Sequence, residues 1–148
     1  MDIIYLDYNC FQRSFDDQHQ VKIQLEAVAC KEIFAKAERN EVLLVWSLMH
    51  EDENTLCPFS ERKFEVERLA KLCKKKIEYD ETLLVVSTKY QKLAGLSSKD
   101  AVHVACASKA KSQYLLTCDE ELIRKSKRLK FELEIMNPVE YIRKKVIQ

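Results

Sequence analysis

The stretch LLTCDEELIRK, from Leu115 to Lys125, shows the pattern that decides the fold of this chain. A short apolar run stops at Thr117, and a segment that opens with three acids, beginning at Asp119, has the composition of a helix. A short, uniformly apolar run is typical of a strand that is covered on both faces of a parallel sheet. An acid at the start of a helix is ordinary, because its carboxylate caps free backbone N–H groups. The stretch alone therefore does not decide whether Asp119 takes part in chemistry.

The same alternation of apolar runs and helical segments occurs along the whole chain. The runs that predict strands are Ile3–Leu6, Glu41–Trp46, Tyr114–Thr117 and Glu132–Met136. The segments that predict helices are Val21–Arg39, a helix capped by Ser47, Ser60–Lys76, Glu81–Leu93 with Gly95 as its stop, Ser97–Ser112, Asp119–Arg128 and a last helix opened by Asn137 and Pro138. Short apolar strands separated by helices predict a parallel sheet with helices on both faces.

Length and composition predict one globular domain over residues 1–148. Hydrophobic residues make up 47% of the chain, enough to bury a sizeable core. No apolar run reaches the roughly 20 residues that a membrane helix needs. The first residues, MDIIYLDYN, carry an acid where a secretory signal carries positive charge. We therefore expect a cytoplasmic protein without a membrane partner.

The single glycine excludes two kinds of phosphate-binding loop, and the spacing of the cysteines argues against two other kinds of site. The single glycine, Gly95, excludes both the Rossmann G-x-G-x-x-G loop and the Walker A loop, which need several glycines to approach a phosphate closely. The six cysteines are widely spread and form no C-x-x-C pair, which favours free buried thiols over disulfides or a zinc site. With a net charge of +1, affinity for nucleic acid has to come from local patches.

Four acids follow the predicted strands or open the helix between them. Ligands of such sheets bind outside the carboxyl ends of the strands, so these acids are expected at one edge: Asp7, Glu51, Asp100 and Asp119. Each acid, taken singly, is also explained as a helix cap or an exposed helical side chain. Asp100 opens a helix that is apolar around most of its girth, so its carboxylate needs a partner. Carboxylates that converge repel one another, and Mg²⁺ or Mn²⁺ removes that cost.

The ordered motifs resemble those of PIN domains over nearly the whole chain. The matching segments are YLDYNCF with its D-x-N, SLMHE with Ser followed by Glu, LSSKDAVHVACA with Asp opening an alanine-rich helix, YLLTCDEEL with Thr-x-Asp, and IMNPVEYI. The resemblance implies a Rossmann-like three-layer α/β/α fold with a short central parallel sheet of four to five strands. It also implies a Mg²⁺- or Mn²⁺-dependent nuclease that cuts single-stranded RNA.

The resemblance further assigns roles to residues and partners. Asp7, Asp100 and Asp119 would be carboxylates of the metal site, with Glu51 as the fourth acid. Asn9, Ser47 and Thr117 would support them. Many bacterial and archaeal PIN domains are toxins of type II toxin–antitoxin pairs, which would imply an antitoxin partner and a homodimer.

Several assignments stay open at the level of sequence. Glu51 and Glu53 point about 200° apart on a helix, so only one of them faces the metal, and the spacing from Ser47 favours Glu51. His103 is expected to be a packing or polar-rim residue. The cations after Asp119 that are candidates for RNA binding are Arg124, Lys125 and Arg128. The number of metal ions and the RNA target are not specified.

Two other functions compete with the nuclease. A phosphoacceptor receiver domain is also a parallel-sheet protein with acids at its strand ends. It needs adjacent acids after its first strand and a Lys after its last, whereas the segments LDYN and IMNP have one acid and no Lys. The second alternative is a catalytically silent PIN-like binding module. The presence of all four acids argues against this loss of activity.

Overall fold

The computed structural model describes residues 1–147, and in this range five strands form one parallel sheet. The strands are β1 (Asp2–Leu6), β2 (Val42–Ser47), β3 (Cys73–Ile77), β4 (Tyr114–Leu116) and β5 (Glu134–Met136). Their order across the sheet is β3-β2-β1-β4-β5, and each neighbouring pair is parallel. The predicted α/β architecture with a short central parallel sheet of four to five strands is confirmed.

Helices connect the strands and cover the sheet. They are α1 (Tyr8–Gln12), α2 (Val21–Glu38), α3 (Leu48–Thr55), α4 (Ser60–Ala70), α5 (Glu81–Ala94), α6 (Ser98–Lys109), α7 (Glu120–Ser126) and α8 (Pro138–Ile147), with a 3₁₀ turn at Arg13–Phe15. Two of the predicted helix limits are observed. The Ser47 side chain caps the start of α3, and Gly95, with φ of 69°, ends α5 in the left-handed conformation. Over residues 1–147, no helix combines the length and apolarity needed to span a membrane.

Successive residues of the central strands supply two separate cores, one on each face of the sheet. Ile4 and Leu6 belong to the core on one face, which includes residues of α1, α2 and α4, whereas Tyr5 belongs to the core on the other face, with residues of α5 and α6. All three side chains are fully buried. Burying a large apolar side chain contributes about 1.5–3 kcal/mol. This burial on both faces explains why the central strands β1, β2 and β4 are mostly apolar.

The predicted helix Ser60–Lys76 is too long, because its last residues form a strand. Helix α4 ends at Ala70, and β3 pairs with β2 from Cys73 to Ile77. Only the two ends of β3 are buried, and the lysines between them are exposed or half-buried. Lysines on an edge strand prevent pairing with another chain, but they also hide the period of two that identifies a strand.

The register of the sheet brings the ends of β1 and β4 together. Leu6 pairs with Leu116, and the backbone N–H of Asp7 donates to the carbonyl of Leu116 at 2.8 Å. Asp7 and Thr117 are therefore neighbours at the carboxyl edge of the sheet.

Candidate metal centre

Asp7 lies at the centre of the carboxyl edge and is held by hydrogen bonds. Only 6% of the residue is exposed. Its Oδ2 accepts a hydrogen bond from Thr117 Oγ1 at 2.7 Å and another from Asn9 Nδ2 at 3.3 Å. A buried carboxylate is costly unless it is paired, and these donors reduce that cost while fixing its orientation. Asn9 and Thr117 thus have the supporting contacts that the sequence suggested for them.

Asp100 lies in the first turn of α6, near the two other predicted aspartates. Its backbone N–H donates to Ser97 Oγ at 3.1 Å, which caps the helix. Burial raises the pKa of the Asp100 carboxyl, and the negative charges of Asp7 and Asp119 raise it further. These effects indicate that the charges of Asp7 and Asp119 lie in the neighbourhood of Asp100.

Asp119 is both a helix cap and a member of this acidic group. Its Oδ1 accepts from the N–H groups of Glu121 at 2.9 Å and Leu122 at 3.3 Å, while its own N–H donates to Thr117 Oγ1 at 3.0 Å. Because Oδ1 accepts both capping bonds, Oδ2 of Asp119 is left to bind a metal ion. Its neighbour Glu120 points elsewhere and forms an ion pair with Lys22 at 2.7 Å.

The two glutamates of α3 have different surroundings. Glu51 is exposed, and its Oε2 accepts a hydrogen bond from the Trp46 indole at 2.8 Å. Glu53 is partly buried, and its carboxylate lies with Asp7 and His103 in a group whose ligand atoms are all within 4.8 Å of one another. Helical geometry does send the two acids in different directions. The structure places Glu53 beside Asp7 and leaves Glu51 outside this group.

His103 connects Glu53 to Asp7 and is fully buried. Its Nε2 hydrogen-bonds to Glu53 Oε1 and lies 3.8 Å from Asp7 Oδ1. Its Nδ1 meets the Tyr5 hydroxyl at 2.6 Å. The sequence offered only the one-turn spacing from Asp100 as a signal, and it favoured a packing or rim residue. The contacts instead place His103 between Glu53, Asp7 and Tyr5.

A buried chain of polar groups continues from His103 beneath the site. The Tyr5 hydroxyl meets Ser47 Oγ at 2.7 Å, and Ser47 in turn contacts His50. Ser47 N donates to His50 Nδ1 at 3.0 Å, so Nε2 carries the proton and donates to the Leu6 carbonyl at 2.6 Å.

One proton arrangement that satisfies the members of this chain contains a neutral His103. Burial lowers the pKa of His50 well below its usual value, and the neighbouring His103 imidazole lowers it further, which keeps His50 neutral. Ser47 then donates to the Tyr5 oxygen, Tyr5 donates to His103 Nδ1, and His103 Nε2 donates to Glu53. Fully satisfied buried networks of this kind are rigid. Ser47 is thus connected to the acidic centre through other side chains and does not contact Asp7 itself.

The cations that are candidates for RNA binding differ in whether they already form ion pairs. Arg124 forms an ion pair with Glu121 at 2.9 Å, and Lys125 lies 3.8 Å from the same carboxylate. Arg128 is exposed and forms no ion pair with any residue of the described range 1–147. Lys99, which the sequence did not single out, is exposed at the rim with its Nζ 3.7 Å from Glu53 Oε2.

Comparison with known proteins identifies the fold. The sequence matches no protein-family model and no curated protein. This chain is similar in structure, with a TM-score of 0.58, to a chain in the crystal structure of VapBC2 from Rickettsia felis. That structure contains VapBC2 bound to a DNA fragment from its promoter. The two chains are 14% identical, and the match covers 91% of this chain and 98% of that one. At this identity the likeness concerns the fold, and it supports the PIN-like fold that the ordered sequence motifs implied.

Proposed function

We propose that this protein is a divalent-metal-dependent ribonuclease that hydrolyses phosphodiester bonds of single-stranded RNA. The observation that supports the proposal is the group of acids at the carboxyl edge, where Asp7 lies beside Glu53 and is joined to Asp119 through the Thr117 hydroxyl. Asp7 is buried there, and its charge and that of Asp119 raise the pKa of Asp100. No capping or packing requirement brings acids together in this way, whereas a bound cation does.

The donors of this edge fit Mg²⁺ or Mn²⁺, because they are carboxylate oxygens of the kind that hard cations prefer. Asp7, Asp100 and Asp119 would hold the ion, and we propose Glu53 rather than Glu51 as the fourth acid. When bound, such an ion neutralises charge on the phosphoryl oxygens and lowers the pKa of a water nucleophile.

The chain's own residues orient these ligands before any ion binds. Thr117 and Asn9 both donate hydrogen bonds to Oδ2 of Asp7. The backbone N–H groups at the start of α7 donate to Oδ1 of Asp119. His103 positions Glu53 from below. Pre-organised ligands of this kind raise metal affinity, and changes to their outer partners typically cost about 10–100-fold in affinity or activity.

RNA would approach the centre past exposed cations. Arg128 after α7 is suited to phosphate contacts, because it is exposed and forms no ion pair within residues 1–147. Lys99 at the rim is also exposed, but its Nζ lies 3.7 Å from Glu53 Oε2. Arg124 and Lys125 share Glu121, which reduces the charge they offer to RNA. We therefore propose that Arg128 contributes more to RNA binding than these two residues.

A toxin role is the next step of the proposal. The similar structure from Rickettsia felis is of VapBC2 bound to promoter DNA. By analogy, we propose that this chain is the toxin of a type II toxin–antitoxin pair, acts in the cytoplasm, forms a homodimer and is held inactive by an antitoxin protein. Co-purification with the product of a neighbouring gene, followed by light scattering of the free protein, tests the partner and the dimer.

Cleavage of a fluorescent single-stranded RNA with Mn²⁺ tests the enzymatic part. We expect cleavage that EDTA abolishes and that Asp100→Asn reduces by at least about 100-fold. Activity without metal, or an unaffected Asp100→Asn variant, would rule out this mechanism. Calorimetric titration distinguishes the alternative of a silent binding module, because a folded protein that binds neither Mn²⁺ nor Mg²⁺ lacks the proposed centre.

A further inference from the structure

Three cysteines that are distant in sequence converge next to the acidic centre. Cys10 is in α1, Cys30 is in α2, and Cys118 lies between β4 and α7. Their Sγ atoms all lie within 4.8 Å of one another. The three residues are only 2%, 2% and 7% exposed, and all are free thiols. The wide sequence spacing that argued against a zinc site did not exclude one, because the fold brings the thiols together.

We propose that this thiol cluster, Cys10, Cys30 and Cys118, binds a thiophilic metal ion such as Zn²⁺. Thiolates are the ligands that select soft and borderline ions over Mg²⁺ and Mn²⁺. A Zn–S distance of about 2.3 Å in tetrahedral geometry puts the sulfurs roughly 3.8 Å apart. The cluster therefore has to contract by no more than about 1 Å to hold the ion. On binding, each thiol gives its proton to water and forms one bond to the metal.

The cluster belongs to the hydrophobic core on one face of the sheet, and polar atoms border it on one side. Cys10 Sγ lies 3.5 Å from both Asn9 Oδ1 and the Leu116 carbonyl, at donor distance.

Three sulfurs are the donors that the protein offers to this ion. Glu26, one helical turn before Cys30, is buried, but its two oxygens are engaged. Oε1 accepts from Arg13 at 2.8 and 3.0 Å, and Oε2 accepts from Asn137 at 2.5 Å. The fourth position of a tetrahedral ion would then belong to water or another small ligand, as in open zinc sites.

Asn9 joins the thiol cluster to the acidic centre. Its Oδ1 accepts from the N–H of Cys118 at 3.2 Å, and its Nδ2 donates to Asp7 Oδ2. An ion in the cluster would tie α1 and α2 to the segment that carries Asp119. We expect it to stabilise the folded protein, because a ligand that binds only the folded state raises the melting temperature.

The test is a titration of the reduced, metal-free protein with Co²⁺, monitored by the near-ultraviolet thiolate-to-cobalt charge-transfer absorption. Co²⁺ bound to carboxylates alone does not produce this band. We expect the band to saturate at one equivalent and to disappear when Zn²⁺ is added. Asp100→Asn should keep the band, which separates this site from the acidic centre and from the proposed nuclease function.

Matched cysteine variants complete the test. Cys30→Ser and Cys30→Ala should lose the band and the rise in melting temperature with Zn²⁺. Cys73→Ser, which removes a buried thiol outside the cluster, should keep both. Circular dichroism establishes that each variant is folded. Absence of the band in the wild-type protein, or its persistence in folded Cys30 variants, would overturn the proposal.

Discussion

The Thr117 hydroxyl donates a 2.7 Å hydrogen bond to Oδ2 of Asp7, across 110 positions of sequence. The bond joins the carboxyl ends of β4 and β1, and the same oxygen of Thr117 accepts from the N–H of Asp119 at 3.0 Å. One hydroxyl therefore sets the positions of two of the proposed metal ligands. Several consequences of this arrangement and of its neighbours are open to measurement.

Thr117→Val keeps the shape of the side chain and removes the hydroxyl. We expect Mn²⁺ affinity or nuclease activity to fall by about 10–100-fold, because Asp7 loses its closest donor. Thr117→Ser retains the hydroxyl and should stay within a few fold of the wild type. Calorimetry and RNA cleavage measure the two effects. Equal behaviour of the Val and Ser variants would show that the hydroxyl does not orient Asp7.

Glu53→Gln and Glu51→Gln form a matched pair on one helix. We expect Glu53→Gln to reduce cleavage by at least about 100-fold, because Glu53 shares a group with Asp7 and His103. Glu51→Gln should retain most activity, since its carboxylate is bonded to Trp46 outside that group. The reverse result in the RNA cleavage assay would restore Glu51 as the fourth acid.

Tyr5→Phe tests the buried polar chain. Removing the hydroxyl leaves His103 Nδ1 and Ser47 Oγ without their shared partner, and burial of an unsatisfied polar group costs about 1–3 kcal/mol. Urea denaturation should show a decrease of this size in the free energy of unfolding. Tyr90→Phe is the control, because the Tyr90 hydroxyl lies 3.4 Å from Ser108 Oγ and is only partly buried. Equal losses for the two variants would contradict a special role for the chain.

Asp2 should make the stability of the fold depend on pH. Its Oδ2 accepts from the Tyr141 hydroxyl at 2.7 Å and lies 2.9 Å from Lys145 Nζ, which joins α8 to β1. Burial alone would raise the pKa of Asp2, but the bonds from Lys145 and Tyr141 outweigh it and lower the pKa. A lowered pKa means that this stabilisation is complete above the unfolded value of about 3.9 and is lost as pH falls through the folded value.

The variant Asp2→Asn isolates this effect. The difference in free energy of unfolding between wild type and Asp2→Asn should be constant above about pH 5 and should shrink as pH falls below about 4. Glu134→Gln, which removes an exposed ion pair with Lys144, should change stability by less than about 1 kcal/mol. If the difference in free energy of unfolding did not change with pH, the negative charge of Asp2 would not be the source of its stabilising effect.

Arg128→Gln should weaken RNA binding through the loss of one phosphate contact. We expect the slope of log K against log salt to become shallower by about 0.7, the value for one charge on a single strand. Arg143→Gln, on α8 and paired with Glu140 at 3.2 Å, is the control and should leave the slope unchanged. Fluorescence anisotropy with inactive Asp100→Asn protein measures both. An unchanged slope for Arg128→Gln would remove it from the RNA surface.

Much of the fold was predictable because it depends on local patterns. Uniformly apolar runs identify the buried strands, and the caps Ser47 and Asp119 act within three residues of themselves. The neighbourhood of Asp7 and Asp119 also followed from sequence, because the carboxyl ends of the parallel strands β1 and β4 share one edge. The edge strand β3 was missed because its sequence shows no alternation of apolar and polar residues. It is a strand because it pairs with β2.

By itself, the sequence determined the four apolar strands, the helix limits set by Ser47 and Gly95, and the order of the acids, since each depends on neighbours along the chain. The tertiary structure alone decided which glutamate of α3 lies beside Asp7 and made His103 a buried hub. It also gathered Cys10, Cys30 and Cys118 into one cluster. These outcomes depend on where side chains point after elements that are distant in sequence pack together. The sequence pattern of a single helix or strand does not predict those directions.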